Sequence, residues 1–339
     1  MKFHENYPLK DITTFHAKVY AKDYTEFISA SELKGILSAP ILKEKPFMIL
    51  GGGSNVLFTG DYNGIIIRNA IKGIEVIREE GSDIYIKANG GEKWHDFVMY
   101  CVSHNYGGVE NLSLIPGTVG AGPIQNIGAY GVELKDTLFE VQAMNIHTLE
   151  VKEFSNADCK FGYRDSIFKG EEKGKYVILA VTLKLERNPK KVNVSYGTVS
   201  KELEVMGIAN PTIADVSKAV INIRSSKLPD PEKLGNAGSF FKNPVIANSA
   251  FEKLKEKFPA IVSFPAHGGH TKLAAGWLIE QCGWKGKRIG DAGVHKDQAL
   301  VLVNYGDATG KEIYDLSTEV IKSVKEKFGV ELEREVNMI

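Results

Sequence analysis

Four polar clusters in this 339-residue chain hold the residue types that catalysis or anion binding would use. They are Phe161-Gly-Tyr163-Arg164-Asp165-Ser166, Val194-Ser-Tyr196-Gly197, Lys227-Leu-Pro-Asp230 and Gly235-Asn-Ala-Gly238-Ser239-Phe-Phe-Lys242-Asn243-Pro. In the last, Gly238 lets a ligand approach closely, Ser239 offers a hydroxyl, and Phe240 and Phe241 can exclude water around it. A glycine turn entering a buried strand accounts for the same residues. Ser166-x-x-Lys169 and Ser239-x-x-Lys242 both fit the S-x-x-K pattern of serine acyl-enzymes, yet the companion S-D-N and K-T-G elements are missing. Glu331, Glu333 and Glu335 alternate near the C-terminus, and for them a solvent-facing acidic strip is the plainer reading.

Two glycine loops bear on what these clusters serve. In Gly51-Gly52-Gly53-Ser54-Asn55, which follows the apolar run Phe47-Met-Ile-Leu50, several backbone N–H groups can converge on a pyrophosphate without any cation. A structural turn needs glycine for the same freedom at positive φ, so this loop alone decides nothing. The passage from Pro116 to Gly131 is too long and too poor in charge to be a plain turn. Two neutral glycine loops on separate segments point to a dinucleotide held between domains. Neither Gly51-x-Gly53 nor Gly120-x-Gly122 continues into G-x-G-x-x-G, and no G-x-x-x-x-G-K-[ST] occurs, so kinases, P-loop NTPases and ordinary NAD dehydrogenases lose support.

The elements that must position these residues are legible in outline. With 43% hydrophobic and 25% charged residues the chain has apolar mass for two or three cores. Lysine plus arginine and aspartate plus glutamate both number 42, so no global field attracts nucleic acid or an anionic membrane, and an anionic ligand must be met locally. No apolar run approaches the roughly 20 residues of a membrane span, and the polar start gives no leader, so a cytosolic protein is expected. Cys101, Cys159 and Cys282 form no C-x-x-C pair, and His267-x-x-His270 lies in a glycine-rich loop, so no metal site is expected. Apolar runs predict strands at 47–50, 65–67, 84–88 and 176–185, and helices at 94–104 and 213–224. Lys227-Leu-Pro-Asp-Pro231 reads as a stiff domain boundary. Ile313, Leu316, Val320, Val324 and Phe328 have the spacing of a core-facing helix, followed by a last strand from Val330 to Val336.

Leu50–Phe58, Ile115–Gly131, Phe161–Phe168, Lys227–Pro231, Gly235–Pro244, Leu273–Ile279 and Glu333–Val336 together resemble the UDP-N-acetylenolpyruvoylglucosamine reductases, the MurB family, in its type I branch. The resemblance runs through nearly the whole chain. It implies an α+β protein whose FAD-binding fold, of the vanillyl-alcohol oxidase (PCMH) type, occupies two subdomains, 1–70 and 71–226. A type I insertion falls near 190–210, and a C-terminal α/β substrate-binding domain spans 227–339, its last strand (330–339) returning to the active site. It implies non-covalent FAD held by Gly51, Gly52, Gly53, Ser54, Asn55, Pro116, Gly117, Gly120, Ala121, Ile127 and Gly128, and NADPH reducing the flavin from the pocket that the substrate later occupies.

The implied activity is NADPH-dependent reduction of UDP-N-acetylglucosamine enolpyruvate to UDP-N-acetylmuramate, a step in peptidoglycan precursor synthesis. Hydride addition to the enolpyruvyl methylene leaves negative charge on the adjacent carbon and the carboxylate, which calls for a fixed cation and a proton donor. By motif match Arg164 and Glu335 stabilise that enolate and Ser239 supplies the proton. Tyr163 shapes the site, while Tyr196, Lys227, Asn243 and Gln298 bind the substrate diphosphate. A monomer is expected, without metal, nucleic acid or membrane partner. A flavin oxidase of the same fold acting on another substrate is the alternative enzyme. A nucleotide-sugar scaffold without turnover is the other, and the joint presence of Arg164, Ser239 and Glu335 argues against it.

Overall fold

The structure, a computed structural model, describes residues 2–339. The chain forms two compact units, and the second takes in residues 7–21, 53–62 and 227–339, while the first takes in the rest.

In the first unit, strand Tyr176–Arg187 is buried along nearly its whole length, as its run of Val, Ile, Leu and Ala requires. It lies at the centre of a six-stranded sheet, paired antiparallel with Leu138–Asn145 on one side and Asp83–Asn89 on the other. Val181 sits opposite Val141 and Ala88 in those pairings. Helix Trp94–Ser103 turns Trp94, Phe97, Val98, Cys101 and Val102 into the core of this sheet. A four-stranded sheet in the order His4–Pro8, Tyr20–Phe27, Tyr62–Asn69, Phe47–Leu50 packs Phe27, Ile65 and Ile67 with Leu33 and Ile36 of helix Ala30–Leu37. Met144, Val177 and Leu179 join that second core, so the two sheets share packing. Residues near the expected insertion form helix Gly197–Val205, whose Val199 and Leu203 meet Val216, Val220 and Ile223 of helix Ile213–Lys227 in a small core of their own.

In the second unit helix Gly310–Phe328 begins with a capping box between Thr309 and Glu312 and ends at Gly329 in the left-handed region (φ 67°). It buries Ile313, Leu316, Val320, Val324 and Phe328. Each such side chain contributes about 1.5–3 kcal/mol when fully buried. The strand expected from Val330 to Val336 is not regular: that stretch makes an isolated bridge, Arg334 with Phe241, and the ladder proper is Asn337–Met338, parallel to Val56–Leu57. Leu332 and Val336 are drawn into the core while Glu331 and Glu333 stay outside on lysine partners Lys325 and Lys242, so burial and the short pairing of 333–335 with 240–242, rather than a continuous ladder, hold the segment.

Candidate active site

Within the first unit the two glycine loops meet. A Cβ on Gly52 would lie 2.9 Å from the Cα of Gly117, and one on Gly51 would lie 2.5 Å from Thr118 Oγ1. Only glycine allows this approach. Thr118 Oγ1 is itself buried without a hydrogen-bond partner, an orphaned hydroxyl facing the place where the loops converge. A third glycine turn supports them: Gly120 N–H donates to Gly90 O at 2.9 Å and Gly90 N–H to Leu179 O at 2.7 Å, so the loop rests on the end of the central strand. Gly90 and Gly91 escaped the sequence reading because a glycine pair after a strand is an ordinary turn signal. Of the remaining candidates for cofactor contact here, Pro116 and Ala121 are exposed, Ile127 is buried, and Gly128 is partly exposed.

Arg164 belongs to the same unit and points back at this loop, its Nη2 donating to Gly128 O at 2.9 Å. Its backbone is left-handed (φ 55°), unusual for arginine. The turn is closed by Gly162 N–H to Asp165 O at 3.0 Å and by Lys169 Nζ to Arg164 O at 3.1 Å. Tyr163 beside it is 46% exposed. Tyr196 stands immediately before helix Gly197–Val205 and meets the ring of Tyr130 edge-on, centroids 5.6 Å apart.

Arg224, on helix Ile213–Lys227, was not among the sequence candidates. Its Nε is buried without a hydrogen-bond partner. Burial pushes its pKa below the ordinary arginine value, Tyr130 opposes this through charge and a hydrogen bond, and the nearby Arg164 cation adds to the depression. Burial likewise raises the Tyr130 phenol. Two guanidiniums and a phenol thus face one another beside the glycine loop, an arrangement suited to an anion. A lone arginine near the end of a helix carries no sequence signal for this.

In the second unit Gly53 is left-handed (φ 63°), and a Cβ there would fall 2.0 Å from Ile12 O. Its carbonyl accepts from Thr14 N–H at 3.1 Å. Asn55 Nδ2 donates to the backbone of Glu335 at 3.3 Å, and Asn337 Nδ2 to Asn55 O at 2.9 Å. Ser54, between them, is partly exposed. Glu335 N–H donates to Phe240 O at 2.8 Å, which brings Glu335 within one residue of Ser239 across the pair. Glu335 is half-buried where Glu331 and Glu333 are exposed, so it is set apart from the acidic strip. Ser239 is exposed after Gly238 (φ 67°). Phe240 and Phe241 do not wall it off as expected: both turn into the core, Phe240 against Phe15. Asn243 Oδ1 accepts from Ala275 N–H at 3.0 Å, and Gln298 Oε1 lies 3.3 Å from where a Cβ of Gly276 would be, so both reach the start of helix Ala275–Gln281. Lys227 is exposed.

The S-x-x-K pairs are otherwise employed. Ser166 is buried with Oγ donating to Ile124 O at 2.7 Å, Lys169 holds Arg164 O, and Lys242 pairs with Glu333. His267 and His270 flank a hairpin turn, with His270 Nδ1 at 2.8 Å from Gly268 O.

Neutral glycine loops converging on an orphaned hydroxyl, with cations beside them, suit a nucleotide-type cofactor, and the chain is a flavoprotein: an FAD-binding domain model matches residues 26–151. Its fold is similar to that of 6-hydroxy-D-nicotine oxidase from Arthrobacter nicotinovorans (TM-score 0.56, 14% identity, 97% of this chain and 86% of that one). The model for the C-terminal domain of UDP-N-acetylenolpyruvoylglucosamine reductase matches residues 230–339. UDP-N-acetylenolpyruvoylglucosamine reductase from Flavobacterium johnsoniae is 52% identical over 339 residues, all of both chains. The reductase from Chromobacterium violaceum is 49% identical, covering 99% of this chain and 98% of that one. The crystal structure of UDP-N-acetylenolpyruvylglucosamine reductase (MurB) from Thermus caldophilus superposes with a TM-score of 0.65 at 24% identity, covering 99% and 98%. The chain belongs to the UDP-N-acetylenolpyruvoylglucosamine reductase family. Among the described residues no helix is long and apolar enough to cross a membrane.

Proposed function

We infer that the protein reduces UDP-N-acetylglucosamine enolpyruvate to UDP-N-acetylmuramate at the expense of NADPH, in the synthesis of peptidoglycan precursors, and works in the cytoplasm as a monomer. The observation that carries this reading is the Arg164 guanidinium fixed on Gly128 of the glycine loop. A permanent cation beside the glycine loop supports a role in stabilising the negative charge that a hydride acceptor develops. The site residues divide by task. Gly51, Gly52, Pro116, Gly117, Gly120, Ala121, Ile127 and Gly128, with Gly53, Ser54 and Asn55, hold FAD without a covalent link. The buried Thr118 hydroxyl and the room that glycine leaves at Gly51 and Gly52 support that fit.

Bound FAD supplies the hydride, taken from NADPH, that adds to the enolpyruvyl methylene. The chain's own residues then manage charge and one proton. Arg164 and Glu335 stabilise the enolate, Ser239 Oγ–H hands its proton to the adjacent carbon, and Tyr163 shapes the site. Tyr196, Lys227, Asn243 and Gln298 hold the diphosphate, with Arg224 and Tyr130 as a further place for an anion. Residues 1–70 and 71–226 act as two FAD-binding subdomains, a division supported by their separate sheets, and 227–339 binds substrate. The test is loss of nicotinamide absorbance when flavin-loaded protein meets NADPH and UDP-N-acetylglucosamine enolpyruvate. Flavin-loaded protein that consumes no NADPH with this substrate, yet passes electrons to oxygen from another, would make it an oxidase instead.

A further inference from the structure

The glycine loop is entered through a residue in an unfavourable conformation, Leu114, whose φ of 59° is a left-handed value that costs leucine about 1–3 kcal/mol. What holds it there is a side chain from another element. Leu114 N–H donates to Nδ1 of His95, in the first turn of helix Trp94–Ser103, at 3.0 Å. The bonds on either side are backbone, hydroxyl or indole: Ser113 Oγ to Glu110 O at 2.7 Å and with Ser217 Oγ at 2.8 Å, Trp94 Nε1 to Leu112 O at 3.0 Å, Trp94 N–H to Gly117 O at 3.0 Å and Val119 N–H to Glu92 O at 2.9 Å. The His95 bond is therefore the titratable one in a clamp that fixes residues 112–119, and Gly117 and Thr118 lie within it.

We propose that His95 is a positioning residue for the flavin loop, which it holds in the binding conformation by accepting the Leu114 amide proton at an unprotonated Nδ1, so that protonation of His95 opens the clamp and weakens FAD binding. The proposal rests on FAD being the cofactor. An imidazole that accepts at Nδ1 carries its proton on Nε2, and the imidazolium donates from both nitrogens. Two N–H groups would then face each other at Leu114. The bond that offsets the strain at Leu114 itself would be lost.

The surroundings favour the neutral ring. Burial is the largest influence and lowers the His95 pKa, Asp96 on the same helix raises it, and Arg224 from helix Ile213–Lys227 lowers it further. Among other groups near this helix, the Glu110 carboxylate is engaged by Gly108 N–H at 2.6 Å, while Tyr106 faces His104 and Arg187. The folded state thus binds the proton less readily than the unfolded chain, whose histidine titrates near pH 6.5. The contribution of the clamp is whole above that pH and is lost as pH falls from there through the lowered folded value.

Once the clamp is open, only the fraction of molecules that still adopts the strained loop binds flavin, and the dissociation constant rises by the inverse of that fraction. With the strain given above, the rise is roughly 5- to 150-fold. The experiment measures FAD affinity by flavin fluorescence, against pH, for the native protein, His95→Asn and His95→Leu. Asparagine places Oδ1 where the imidazole has Nδ1 and does not titrate near neutrality. The expected result is tight, pH-independent binding by H95N, weak and pH-independent binding by H95L, and acid-weakened binding by the native protein. Nitrogen NMR of the His95 ring supplies an independent readout, with Nδ1 unprotonated in the apoprotein. H95N as weak as H95L, or a native affinity flat through the histidine range, overturns the proposal. Failure of every variant and the native protein to bind FAD would instead overturn the flavin assignment on which it rests.

Discussion

Ser239→Ala should separate two half-reactions that a merely structural residue could not separate. Ser239 is exposed at a bulge where the pairing register shifts between Asn236 and Ser239, and its neighbour Phe240 carries the core packing. Deleting one exposed hydroxyl leaves those contacts alone, so stability should change by no more than about 0.5 kcal/mol. A positioned general acid contributes about 10²–10⁴-fold, or roughly 3–5 kcal/mol of barrier. Because Phe240 and Phe241 face the core and do not shield the hydroxyl, water can deliver a proton in its place, and the loss should lie near the lower figure, about 10²-fold. Bleaching of the flavin by NADPH needs no protein acid and should keep its rate. Anaerobic stopped-flow, with bleaching and substrate-driven return of colour followed separately, checks both, and thermal melting checks the fold. Equal slowing of the two phases would make Ser239 a cofactor-binding or structural residue. No slowing of either would mean that the proton comes from elsewhere.

Tyr196→Ala and Lys227→Ala should raise KM for the UDP-sugar more than they lower kcat, the signature of lost uniform binding, and a collapse of kcat at constant KM would refute the assignment. Gly52→Ala should give folded but colourless protein, since its methyl would sit 2.9 Å from the Cα of Gly117; stoichiometric flavin after reconstitution would show that the loops need not touch. Arg224→Gln should leave the melting temperature of the apoprotein unchanged or higher, because burial and the Arg164 charge disfavour this cation more than Tyr130 favours it. The same substitution should raise KM for an anionic ligand roughly tenfold or more, and unchanged steady-state constants for both NADPH and the UDP-sugar would remove Arg224 from the site.

How much of this could be read beforehand follows from which features are local. Gly51–Gly53 and the 116–131 passage stand out in the sequence because glycine is the only residue that lets backbones approach this closely, and the structure packs Gly51 and Gly52 against Gly117 and Thr118. The periodic stripe from Ile313 to Phe328 was equally plain, since a helix face is set by nearby residues. The 330–336 segment looked like a strand because its charges alternate. Period two also arises when Leu332 and Val336 are simply anchored in a core, and alternation cannot tell the two apart. Phe240 and Phe241 suggest walls of a site in the sequence, because two adjacent aromatics say nothing about which way each turns. Arg224 and His95 were invisible for a different reason. Their partners, Tyr130 and Leu114, lie on another element, and a hydrogen bond across elements leaves no spacing to detect.

The backbone strain around the glycine loop shows why such residues matter more than their types suggest. Leu114, Asn126, Tyr130 and Arg164 all have positive φ, between 45° and 59°, and only asparagine is at ease there. Each is held by a group from elsewhere. His95 Nδ1 accepts a hydrogen bond from Leu114 N–H, Asn111 Nδ2 donates to Tyr130 O at 3.1 Å, and Lys169 Nζ donates to Arg164 O. Asn126 is fixed three times over, by Glu133, Gly162 O and Lys135 N–H. A glycine at these positions would relieve the strain but would also free the loop to take other shapes, at an entropic cost on ordering. Leucine, tyrosine and arginine, once pinned, have few alternatives. Two of the four, Tyr130 and Arg164, carry side chains that point into the cation cluster, so the strain and the chemistry occupy the same residues. A substitution that loosens Asn111, His95 or Lys169 therefore acts on the site without touching any ligand, by letting these backbones relax away from the geometry that aims their side chains.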